Sequence, residues 1–96
     1  MNNNYIVRWT SQSQNCETEK VGKIVSIIPQ NESAYSFLPD GVKKSHIKFG
    51  DKSIYERVLI QVKAGANKNI NHYYAPLRSM LERQGNAEVI REFINS

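Results

Sequence analysis

Residues 54–63 limit the fold more than any other part of this chain. Ile54, Val58, Ile60 and Val62 fall on one face of an extended segment, and Tyr55, Arg57, Gln61 and Lys63 fall on the other. Side chains alternate across a strand with a period of two, so this pattern predicts a strand with one apolar and one polar face. Shorter runs extend the sheet. Residues 5–10 and 21–28 are rich in β-branched and aromatic side chains, and Pro29 with the turn residues behind it stops the second run. Residues 34–38 end at Pro39-Asp40-Gly41. Residues 45–49 set Ile47 and Phe49 against His46 and Lys48, and residues 70–74 follow a turn at 64–69.

The C-terminal fifth changes period. Pro76 suits a first helical turn, and Leu77, Met80 and Leu81 recur at helical spacing until Gly85 interrupts. Asn86 then caps a second segment whose stripe is Val89, Ile90, Phe93 and Ile94. These patterns predict a single domain over 1–96, mostly β within the α+β class, with 5–75 β-rich and 76–95 helical. The expected architecture is a five- to six-stranded antiparallel OB-like barrel or curved sheet, closed by a C-terminal helix broken at Gly85. Residues 1–4 and 11–20 carry no period and are expected to be mobile.

Charge narrows the function. The formal net charge is +4. Residues 1–39 balance, whereas 40–78 hold Lys43, Lys44, Lys48, Lys52, Arg57, Lys63, Lys68 and Arg78 against only Asp40, Asp51 and Glu56. Such a local positive field attracts phosphates or an acidic protein surface. No stretch is apolar and long enough to span a bilayer, and the N-terminus lacks the basic and apolar regions of a signal peptide, so no membrane association is expected. Cys16 is the one cysteine. It excludes an internal disulfide, fits a reducing cytoplasmic compartment, and reads as an incidental surface thiol. His46 and His72 have no ligand-spaced partners in the sequence, so neither a metal nor another cofactor is expected, and the isolated glycines make no phosphate loop. His72-Tyr73-Tyr74 reads as a partly buried aromatic corner.

If 34–38 and 45–49 are strands, Tyr35 and Phe37 share one face, and so do His46 and Lys48. Aromatic rings on a sheet stack on bases while lysines track phosphates, which is the equipment of a single-strand binder. The same alternation is equally compatible with Tyr35 and Phe37 pointing into the core. Lys43, Lys44, Arg57 and Lys63 complete the candidate nucleic-acid-binding set with Tyr35, Phe37, His46 and Lys48. Residues 21–77 resemble the cold-shock domains, which are small five-stranded barrels of the OB type. Residues 33–38, Ser-Ala-Tyr-Ser-Phe-Leu, are similar to that family's first RNA-binding motif, and 44–49, Lys-Ser-His-Ile-Lys-Phe, to its second. The resemblance implies base stacking by Tyr35 and Phe37, with His46 in place of an aromatic and Lys48 in place of a histidine. The chain departs from the family at 22–27, Gly-Lys-Ile-Val-Ser-Ile, which lacks the stacking tryptophan of the family's first strand. Ala34 and Ser36 also replace two motif glycines.

Two other readings use the same residues. His46 with Lys48 and Arg57 could supply the acid, base and phosphate clamp of a small ribonuclease. Exposed tyrosines and arginines, among them Tyr55, Arg57, Tyr73, Tyr74 and Arg78, also suit a protein–protein interface. By analogy, that is the surface of a small inhibitor of a larger complex, such as one encoded by a mobile genetic element.

Overall fold

A computed structural model describes residues 4–13 and 16–96. Its frame is one antiparallel sheet of four strands in the order β1-β2-β3-β4. The strands are β1 (Ile6–Ser13), β2 (Cys16–Ile28), β3 (Arg57–Ala64) and β4 (Ile70–Tyr74). The long connection 29–56 lies over one face, and the C-terminal helices α1 (Arg78–Leu81) and α2 (Ala87–Ile94) lie over the other.

The alternation in β3 fixes both faces. Val58 and Ile60 join Val7, Trp9, Ile24, Leu81 and Ile90 in the helix-side core, with Val62 packed against it. Leu59, between them, joins Ile28, Ala34 and Tyr73 in the loop-side core. β2 serves both layers because the register slips between Ile24 and Ser26. The extra residue changes the phase of the strand, so Ile24 and Ile27 face the helices while Val25 and Ile28 face the loop. The adjacent apolar pairs of β2, Ile24-Val25 and Ile27-Ile28, are thus explained by burial on both sides.

Three expectations are corrected. The sheet has four strands where five to six were expected in a barrel or curved sheet, and it is open and no barrel, since β1 and β4 lie at opposite edges. Residues 34–38 form no strand. Ala34–Phe37 is a 3₁₀ turn, and its Ala34 N–H donates to the Asp51 carbonyl at 2.7 Å, across the loop and away from the sheet. Residues 45–49 do not form a strand either. Lys44–His46 is a second 3₁₀ turn, and only Ile47 bridges to Tyr73, in parallel. In both segments local backbone bonds, such as His46 N–H to the Lys43 carbonyl at 2.9 Å, take the place of a ladder.

The β1–β2 hairpin also reaches further than expected, since strand covers 11–13 and 16–20 where a mobile loop was predicted. The expectations for 1–3, for 14–15 and for the Cys16 side chain lie outside the described residues. Among the described residues no helix is long and apolar enough to cross a membrane.

The break at Gly85 has a structural use. Gly85 adopts φ 96°, and the chain kinks between α1 and α2 there. The kink places two carboxamides against the outer edge of β1. Gln84 accepts from the Thr10 N–H at 2.8 Å and donates to the Thr10 carbonyl at 3.2 Å. Asn86 accepts from the Arg8 N–H at 3.2 Å and donates to the carbonyls of Arg8 and Leu81 at 2.8 and 3.1 Å. Asn86 therefore closes the strand edge and the end of α1, and its side chain does not cap α2 as the sequence predicts. An unpaired edge invites strand addition, so these amides both anchor the helices and block that edge. Asn86→Ala is expected to lower the free energy of unfolding by about 2 kcal/mol, from the buried polar groups it leaves unpaired, as measured by urea titration.

Candidate nucleic-acid interface

The loop covers only part of its side of the sheet. Its contacts reach Ile28, Leu59 and Tyr73, leaving the half that holds Ile6, Arg8, Val21, Lys23 and Lys63 exposed. Register brings these residues together. Ile6 pairs with Lys23, Lys23 with Gln61 and Gln61 with Tyr73, and in the next row Arg8 pairs with Val21 and Lys63 with Asn71. The outcome is a shallow groove, lined by Ile6, Val21, Lys23, Gln61, Lys63 and Lys68. Ile6 and Val21 remain 45% and 37% exposed between the cations. Glu19, opposite Thr10, is the nearest acidic residue along that register.

The groove adjoins a second one at the β4 edge. Across from Lys63, Asn71 lines a cavity of about 290 Å³ between 39–43 and 69–73, with Lys43 and His46 in its wall. His46 also lies against His72, with ring centroids 5.3 Å apart. Lys48 is tied to the same edge by its N–H, which donates to the Tyr73 carbonyl at 2.9 Å, and its side chain is exposed. Lys43 and Lys44 are exposed on the adjoining turn. Seven exposed cations thus stand on two neighbouring surfaces.

The residues singled out from sequence are divided by the structure. Lys43, Lys44, His46 and Lys48 gather at the β4 edge, and Lys63 joins them through Asn71. Tyr35 and Phe37 do not share a face, because a 3₁₀ turn has about three residues per turn and sends positions two apart in different directions. Phe37 packs into the loop-side core. Tyr35 stays 43% exposed, but its hydroxyl donates to the Phe49 carbonyl at 3.1 Å and its ring rests on Phe49. Arg57 is buried, and its guanidinium donates to the carbonyls of Gly50 and Asp51 at 2.7 and 2.9 Å.

Arg8, Lys23, Lys68 and His72 belong to this region, although the sequence reading left them out of the candidate binding set. Arg8 and Lys23 sit where charges balance along the chain, and only strand pairing carries them to Lys63. Desolvation, followed by the charges of Lys48 and His46, holds the His72 imidazole below the ordinary histidine range. The unfolded chain therefore binds this proton first as pH falls through about 6.5, so the stability is complete above that pH and decreases below it. The melting temperature is expected to fall between pH 7 and 5, and His72→Gln to flatten that decline.

Among the described residues no three His, Cys, Asp or Glu side chains come together as a metal site. Comparison with family models, curated proteins and solved structures gives no match for this chain.

Proposed function

We propose that this chain is a small non-catalytic binding protein that takes single-stranded nucleic acid across its basic sheet face. The observation that carries the reading is the register that sets Arg8, Lys23 and Lys63 around exposed Ile6 and Val21, on a surface that no other described element covers. Cations spaced along a groove follow a phosphate backbone, and the aliphatic side chains between them offer a dry surface to unpaired bases and sugars. The groove on this face is shallow and open, a form suited to an unpaired strand. The resemblance of 44–49 to the second cold-shock motif points to the same ligand class through His46 and Lys48, the charges of Lys43 and Lys44 lie beside them, and stacking by the pair Tyr35 and Phe37 has no part in the reading.

Binding of a labelled mixed-sequence single strand, followed by fluorescence anisotropy at rising salt, tests this function. With about six phosphates neutralised, affinity for a single strand is expected to fall roughly 300-fold between 50 and 200 mM salt. Absence of binding at low salt overturns the reading. A protein partner is the second reading, favoured by Ile54 and Tyr55, which stand 66% and 59% exposed side by side before β3. A tyrosine beside an aliphatic residue is a common anchor of protein interfaces.

A further inference from the structure

The cavity at the β4 edge has the chemistry of a nucleobase pocket, and we propose that it takes one unstacked base bearing an exocyclic amine from the bound strand. This inference rests on the nucleic-acid reading and adds a ligand preference to it. At about 290 Å³ the cavity lies at the lower limit of small-molecule sites, which suits a single flat ring system. Val42 and Ile70 give it apolar walls, and the His46 imidazole is a stacking surface for a base.

Its polar side chains include one that only accepts, Asp40, and two carboxamides that both accept and donate. The Asp40 carboxylate and the carboxamides of Asn69 and Asn71 line it, with the Lys43 ammonium as its cation. The Asn71 Oδ1 is buried and has no hydrogen-bond partner among the described residues. A buried acceptor without a donor is costly, and the terminal torsion of asparagine is soft enough to turn that oxygen toward an incoming N–H. Adenine, cytosine and guanine present such an N–H on their exocyclic amines. Thymine and uracil present carbonyls at the corresponding edge, which the Asp40 carboxylate and the Asn71 oxygen repel. Lys43 at the cavity and Lys44 and Lys48 outside it are placed to hold the flanking phosphates. The cross-strand pair Lys63–Asn71 joins the pocket to the open sheet face, so one strand reaches both.

The test compares oligo(dC), oligo(dA) and oligo(dT) of equal length on the full chain, by fluorescence anisotropy at low salt. Oligo(dC) and oligo(dA) are expected to bind about tenfold more tightly than oligo(dT), in keeping with one base-specific contact set. Asn71→Leu should bring that ratio close to one. Asp40→Ala, a substitution in an exposed turn, should narrow the ratio while strengthening oligo(dT) binding. Equal binding of the three strands by the unsubstituted protein, or an unchanged ratio in both variants, overturns the pocket and leaves the sheet-face reading standing. Failure of all three strands to bind overturns both.

Discussion

Replacing Gly22 with alanine is expected to lower the stability of the fold by about 3 kcal/mol, the upper range for overpacking a closed core. Gly22 is buried in β2, opposite Val7. A Cβ there meets the Ile60 Cγ2 at 2.5 Å, the Gln61 carbonyl oxygen at 2.6 Å and the Val62 Cγ2 at 2.9 Å. One of these three is backbone, and Ile60 is itself fully buried in the helix-side core. A rotamer change alone cannot clear the contact, so β2 and β3 must separate where Lys23 and Gln61 pair. Urea unfolding should show the loss of stability. Because the same strands carry Lys23 and Lys63, single-strand affinity should fall with it even though no charge has changed.

Arg57→Met is expected to cost about 2–3 kcal/mol, since hydrogen bonds to a charged group contribute roughly 1.5–3 kcal/mol each and one of the two carbonyls, that of Asp51, keeps a second donor in the Ala34 N–H. Arg57 ties the start of β3 to Gly50 and Asp51, and its guanidinium lies 5.9 Å from the Phe49 ring centroid. Asp51 in turn accepts from the Ser33 hydroxyl at 2.7 Å and the Tyr35 N–H at 3.1 Å. The Ser33 hydroxyl first, and the Tyr35 N–H second, hold the Asp51 carboxyl below its ordinary value. Methionine keeps much of the apolar contact but removes the guanidinium from the Gly50 carbonyl and leaves the Asp51 carbonyl with the Ala34 N–H alone, so the turn 33–37 should loosen together with 50–51. Thermal unfolding measures the loss, and increased amide exchange at Tyr35 and Ser36 would locate it. A variant as stable as the parent would contradict this role for Arg57.

The legible part of the fold is the part in which one residue pattern admits one structure. Alternation through β3 identifies the faces of Val58, Ile60 and Val62 correctly, though the strand begins only at Arg57 and Ile54 stands exposed ahead of it, and Gly85 locates the break of a C-terminal helix that starts at Arg78, two residues beyond Pro76. Residues 34–38 and 45–49 mislead because five alternating residues are too few to separate a strand from a loop that lies on a sheet. Phe37, Leu38, Val42 and Phe49 are apolar because they cover β2, β3 and β4, and covering requires no ladder.

The site shows the same division. Lysines crowded in sequence, Lys43, Lys44 and Lys48, remain together in space. Arg8 and Lys23 come onto the face that carries Lys63 only through strand pairing, which depends on the length of the β1–β2 hairpin and the register of β2 on β3. Arg57 occupies a polar position in the alternation, yet the loop folds over it and turns a candidate ligand-binding cation into a tie between β3 and residues 50–51. Asn71 carries no charge and lies in no motif, so its place beside Lys63 appears only in the sheet.

Amide chemical-shift mapping during titration with a short single strand tests the central claim most directly. The predicted result is a continuous set of shifts across Ile6, Arg8, Val21, Lys23, Lys63 and Asn71, extending to Lys43 and Lys48 and weakening as salt is raised. Shifts confined to Ile54, Tyr55 and their neighbours, or no shifts at low salt, would contradict it.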